Sequence, residues 1–282
     1  MALRKCIQFC PYLDLIEGYE DLGEFGRKQQ YCTEALVFMI RGIHENYKFP
    51  FAYFLSKNSV NKDNLLTLVK DCITMVNKYG FNVIATVCDQ SSVNQSAIKK
   101  LGVTPDKPLF HIDEIKIYVI FNAIHLFKNI CNRLKENDFY VNGNKTVSWK
   151  DILNTFLLDK KYKRGRSIGH LSDAHTNLNS FQKMSAHLAT QIFSHKTSSA
   201  IKTANTTQAL QSSTAMDTAE FLERMNNLVD ILNSKHNFTS NPFSCAISNQ
   251  NNLVEILKSF STWIESWRIK VKPKSKVREI LP

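Results

Sequence analysis

Between Ala35 and Leu134, apolar runs of strand length alternate with segments of helical period, and this alternation narrows the fold more than any other feature. ALVFMI (35–40) and PFAYFL (50–55) read as buried strands. From Lys62 to Tyr79, Leu65, Leu66, Leu68, Val69, Cys72, Ile73 and Val76 recur at helical spacing, with Gly80 placed to end the helix. Phe81–Cys88 is the next strand, 91–101 a short helix closed by Gly102, IKIYVIF (115–121) a further strand, and 124–134 the helix after it. Upstream, 5–9 and 15–19 read as a hairpin turning near Pro11. Alternation of this kind predicts an α/β layer built on a mixed sheet.

Beyond residue 145 strand signals fade. Residues 149–158, 180–203, 217–233 and 252–267 carry helical patterns joined by Ser/Thr/Asn-rich links, and YVNGNK (140–145) supplies turn chemistry between the two regimes. The sequence therefore divides into an α/β part (1–140), an all-α part (141–269) and a basic tail (270–282). Lys and Arg number 36 against 25 acidic residues, a net charge of +11 that favours polyanionic partners. The seven cysteines form no CxxC pair, and several sit in apolar runs, as reduced thiols do. No stretch approaches the roughly 18 apolar residues of a membrane span, so no membrane partner is expected.

Asp89 follows the strand 81–88, and carboxyl ends of strands are where α/β sheets place function. A carboxylate there suits a hard divalent cation. It also suits the cap of the helix starting near Ser91, and the two roles are compatible. FNAIHLFKN (121–129) stands at the next strand end, with Asn122, His125 and Lys128 spaced along the start of a helix. Two basic clusters, Lys160, Lys161, Lys163, Arg164 and Arg166, then Arg268, Lys270, Lys272, Lys274, Lys276 and Arg278, suit a nucleic-acid backbone, nuclear import or a solvated linker.

Taken in order, EGYEDLG, EALVFMIRG, PFAYFL, DQSSVNQSAIKKLGV, NAIHLFKNICNRL and HLSDAHTNLNSFQKMSAHLATQIFSH resemble the P-element and THAP-type DNA transposases over nearly the whole chain. The resemblance implies an incomplete ribonuclease-H-like mixed sheet followed by an all-α GTP-binding insertion. It makes Asp89 the second of three catalytic, metal-binding carboxylates, with Mg2+ as the expected ion. The first aspartate is expected on a strand just ahead of Met1, and the third acid, a glutamate, beyond the helical region. The resemblance thus implies a chain truncated at both ends, carrying one of the three acids and no THAP zinc finger. Asn122 stands where the family has an aspartate. One carboxylate does not hold two metals in line, so the chain alone is expected not to cut DNA.

For the nucleotide, a carboxylate would pair with the guanine edge and cations with the phosphates. Asp173, Lys183, Ser194, Lys202 and Asp230 are the candidates, against plain readings as a helix cap (Asp173) and solvated lysines (Lys183, Lys202). The expected partners are transposon-end DNA, a guanine nucleotide and a second copy of the chain, in the nucleus. Two other readings stay open: part of an active, metal-dependent transposase completed by flanking sequence, and a non-catalytic protein-interaction module.

Overall fold

The computed structural model describes residues 2–12, 14–162, 165–176, 186–234, 239–248 and 251–270. It forms two compact units, 1–122 and 123–282.

In the first unit, β1 (Gln8–Cys10) and β2 (Leu15–Glu17) form the expected hairpin. Gly18 follows at φ +109°, with Cys6 O only 2.0 Å from where a Cβ would stand, so only glycine fits. β3 (Tyr19–Asp21), β4 (Arg27–Tyr31), β5 (Glu34–Arg41) and β6 (Lys48–Ser56) make an antiparallel sheet in the order β4-β3-β6-β5.

α1 (Lys62–Lys78) comes next. The Asn61 side chain caps it by accepting from Asp63 N–H at 3.1 Å. Gly80, at φ +88°, ends it as its position predicted. Then β7 (Ala85–Cys88), α2 (Ser92–Lys100), β8 (Leu109–Ile112) and β9 (Ile115–Phe121) follow. β9 lies between β8, which is antiparallel to it, and β7, which is parallel. The expected α/β layer is therefore present, with its strands shared between two sheets.

α1 is what joins those sheets. Its Leu65 and Leu68 pack with Leu36, Phe38 and Phe54 of the first sheet. One turn on, Ile73 packs with Phe110, Ile117 and Val119 of the second, and Val69 touches both clusters. Each such buried side chain contributes about 1.5–3 kcal/mol relative to exposure. β5 and β7 are outer strands of their sheets, and the outer side of β5 is met at its start by Ala2 opposite Glu34. The faces turned away from the core clusters carry Val37, Met39 and Tyr53 on one sheet and Val87, Tyr118 and Ile120 on the other, all exposed.

The second unit begins with α3 (Ala123–Glu136), β10 (Asp138–Val141), β11 (Lys145–Val147) and α4 (Trp149–Lys160). α5 (Asp173–Thr176), α6 (Ala186–Ile192), α7 (His195–Thr206), α8 (Ala215–Leu232), α9 (Leu253–Glu265) and β12 (Arg268–Lys270) complete it. It is helical, as expected, and also holds a small antiparallel sheet in the order β11-β10-β12. The turn chemistry at 140–145 joins β10 to β11 inside this unit, while the two compact units meet at Asn122. One core unites Phe127, Leu134, Phe139, Phe156, Phe193, Leu222 and Met225, with Phe221 ringed by Trp263 and Trp267. Asp151 is buried within it. Its oxygens accept from Ser212 Oγ at 2.6 Å and from Thr214 Oγ1 and Thr218 Oγ1 at 2.7 Å, tying α4 to the start of α8.

Outer strands and exposed apolar faces favour self-association. Sedimentation velocity is expected to show concentration-dependent association of the chain. Val87→Lys with Ile120→Lys is expected to reduce it with about 0.5 kcal/mol or less change in stability, as suits exposed positions. A wild-type chain that stays monomeric at all concentrations would contradict this.

Candidate functional site

Asp89 and Asn122 stand next to each other at the carboxyl ends of the parallel pair β7 and β9, where Cys88 is in register with Phe121 and Asn122 N–H donates to Cys88 O at 2.8 Å. The helix cap is Ser91, whose Oγ accepts from Asn94 N–H at 3.3 Å. Asp89 acts one step earlier: its Oδ1 accepts from Ser91 N–H at 2.9 Å and from Asn94 Nδ2 at 2.7 Å. The carboxylate thus belongs to the turn between strand and helix. Among the described residues, no three His, Cys, Asp or Glu stand together to hold an ion. The donor set in hand therefore does not fit a two-metal centre. His125 and Lys128, one helical turn apart on α3, approach with Nδ1 and Nζ at 3.5 Å.

The nucleotide candidates fall into two groups. Ser194, Lys202 and Asp230 lie along the seam between α7 and α8. Ser194 is the N-cap of α7, accepting from Thr197 N–H at 3.3 Å. Lys202 pairs with Glu223 of α8, whose other oxygen lies 3.7 Å from His195 Nδ1. Asp230 accepts from Asn226 Nδ2 at 3.0 Å and from Asn241 Nδ2 at 2.9 Å, and Asn226 Oδ1 accepts from His195 N–H at 3.2 Å. Glu223, Asn226 and Asp230 follow at helical spacing on α8, so one stripe of that helix faces α7 with polar groups. His195, Glu223, Asn226 and Asn241 escaped the sequence reading. The helical spacing of Glu223, Asn226 and Asp230 was the available signal.

Asp173 belongs to the second group. It opens α5 and pairs with Lys160 Nζ at 2.7 and 2.8 Å. Lys183 lies outside the described residues, as do Lys163, Arg164, Lys272, Lys274, Lys276 and Arg278. Arg166 of the first basic cluster turns inward: its Nε is 3.0 Å from buried Asp159, and it donates to Leu171 O at 3.2 Å. Lys161 and Tyr162 remain exposed.

The α7 cap is held from outside the helix by His170. Its Nε2 lies 3.2 Å from Ser194 Oγ and 3.4 Å from Thr197 Oγ1. Burial, and the nearby charge of Lys196, lower its pKa against the opposing effect of a hydrogen bond to the Gln191 main chain. The lowered pKa favours the neutral ring, and Nε2 lies within hydrogen-bond distance of both hydroxyls. Burial also pushes the thiols of Cys72, Cys88 and Cys131 up to about 11, so they stay protonated and inert.

Residues 1–102 match the model of the TNP-like RNase H N-terminal domain, and residues 124–245 that of the TNP-like GTP-binding insertion domain. The chain belongs to the P-element-like transposase family. This family member is 29% identical over 211 residues to the transposable element P transposase of Drosophila melanogaster, covering 74% of the chain. It is 23% identical over 249 residues to the human DNA transposase THAP9, covering 84% of the chain. Its fold matches a chain of the Drosophila P element transposase strand transfer complex with a TM-score of 0.76 at 25% identity, over 97% of its length. It spans 27% of the length of each curated relative and 58% of the solved chain. No helix among the described residues is long and apolar enough to cross a membrane.

The neutral His170 gives this P-element-like chain a pH signature. Its folded pKa lies below the ordinary 6.5, so the unfolded chain takes up the proton first. The stability it contributes is complete above about pH 6.5 and is lost as pH falls through the folded value. Urea midpoints measured from pH 7.5 downwards are expected to fall less steeply in His170→Gln than in the wild type. Parallel slopes would show that His170 does not govern the effect.

Proposed function

We propose that this chain binds GTP in its second unit, along the α7–α8 seam, and serves a P-element-like transposase as its nucleotide-responsive part. The carrying observation is the seam itself. It gathers Ser194, Lys202 and Asp230 on one helix pair within the stretch that matches the GTP-binding insertion model. The chemistry suits a nucleotide. A guanine edge offers two N–H donors to a carboxylate, which Asp230 supplies. The start of α7, with exposed Lys196 beside it, suits phosphate oxygens. Asp173 and Lys183, which precede α7 in sequence, complete the candidate set. The P element relative, solved as a strand transfer complex, and the net charge of +11 support DNA as a macromolecular partner and the nucleus as the place of action. In this reading residues 1–140 act as a partial ribonuclease-H-like domain, 141–269 as the nucleotide-binding insertion and 270–282 as a basic tail. By itself the chain does not cleave DNA.

A second reading rests on the lengths. The curated relatives and the solved chain are longer than this one. Within a longer protein, Asp89 would supply one ligand of a Mg2+ centre whose other carboxylates come from outside these residues.

Calorimetry with GTP and ATP tests the main reading. The wild-type chain is expected to bind GTP at micromolar concentration and to prefer it to ATP. Asp230→Ala is expected to lose roughly tenfold in GTP affinity, the equivalent of one charge-assisted hydrogen bond of about 1.5 kcal/mol. Asp173→Ala is expected to weaken binding as well. No GTP binding by a chain that circular dichroism shows to be folded would overturn the reading and leave a protein-interaction module in its place.

A further inference from the structure

We infer that Asn226 and Asn241 are positioning residues for Asp230, holding its carboxylate through Oδ2 so that Oδ1 faces the guanine edge. This deepens the nucleotide-binding reading above and rests on it.

The orientation of both carboxamides is dictated by their other ends. Asn226 Oδ1 accepts from His195 N–H at 3.2 Å, and Asn241 Oδ1 accepts from Phe243 N–H at 3.0 Å. Only oxygen accepts from a main-chain N–H, so each amide must turn its NH2 group the other way. Both NH2 groups then converge on one atom, Asp230 Oδ2, at 3.0 and 2.9 Å. Among the described residues, Asp230 forms no salt bridge, and these two amides are the side chains that hold its carboxylate.

Among the described residues, this half-buried carboxylate is held by neutral amides through one oxygen, which leaves the other to face an incoming donor. With Oδ2 already accepting two hydrogen bonds, Oδ1 is the stronger acceptor that remains. Guanine N1–H and its 2-amino group present donors there. Adenine presents a lone pair at N1, which a carboxylate oxygen repels. A site built on a buried hydrogen-bonding group rejects an analogue that lacks the partner, since the group is then left unpaired. Fixing the carboxylate rotamer beforehand spares its ordering cost on binding.

The anchors also link the two ends of the seam. Asn226 grips the first residue of α7 with one end of its amide and Asp230 with the other. Asn241 caps the short turn Pro242–Ser244 and brings it against α8.

The test is calorimetry with GTP and ATP on the wild type, Asn241→Asp and Asn226→Ala, with melting curves taken without nucleotide. Asn241→Asp is isosteric and keeps the acceptor for Phe243 N–H, but turns an oxygen on Oδ2 in place of the NH2 group. Both variants are expected to lose roughly three- to tenfold in GTP affinity, the cost of an unfixed side chain, while ATP affinity stays unchanged. A purely structural role would weaken both nucleotides together and lower the melting temperature. Wild-type chain is also titrated with 1-methyl-GTP, which has no N1 donor and is expected to bind no better than ATP. Variants that keep the wild-type GTP-to-ATP ratio, or 1-methyl-GTP binding as tightly as GTP, would overturn the positioning role. If wild-type chain binds no GTP at all, the nucleotide reading itself fails.

Discussion

The close approach of α7 to α8 is the contact on which the second unit depends. It is possible because the facing residues are small. Thr197, Ser198, Ala215, Thr218 and Ala219 are essentially without exposure, and Ser198 Oγ donates to Ala219 O at 2.7 Å. Interiors packed at this density do not absorb an added methylene without strain. A larger side chain at Ser198 or Ala219 would part the helices and separate Lys202 from Glu223 and His195 N–H from Asn226. The polar seam therefore rests on an apolar and hydroxyl-lined contact directly beneath it. Asp151 secures the same contact from behind, since its hydroxyl partners on Thr214 and Thr218 fix where α8 begins.

This arrangement puts chemistry at the rim of a rigid support. Ser194 caps α7, His170 holds Ser194, and Asn226 links the start of α7 to Asp230. A ligand that touches either end of the seam meets groups already oriented by neighbours, which lowers the ordering cost of binding. The first unit carries the opposite arrangement. Asp89 and Asn122 stand together at strand ends, but Asp89 is engaged with its own turn, and no group of three metal-ligating side chains forms among the described residues.

Local sequence signals foretold some elements and were silent on others. α1 announced itself through Leu65, Leu68, Cys72, Ile73 and Val76, because all of them enter the core. β4 did not, since RKQQY is exposed along its whole length and has no apolar period. β12 pairs with β10 across the greater part of the unit, and such pairings leave no local trace. The run 180–203 read as one helix, whereas the chain breaks at Phe193 and Ser194, with α7 restarting under its serine cap. Of the candidate site, Asp230 and Ser194 were legible as chemistry-bearing residues. What holds them was not, because Asn241 and His170 reach them from other segments.

On the proposed reading, a guanine nucleotide binds at the α7–α8 seam. Hydrogen exchange read by mass spectrometry, with and without GTP, tests it most directly, since exchange reports local opening along the chain. Slower exchange is expected at the start of α7 and along the second half of α8 through Asn241, with β7 and α2 of the first unit unchanged. Protection elsewhere in the second unit, with the seam unaffected under saturating GTP, would contradict it.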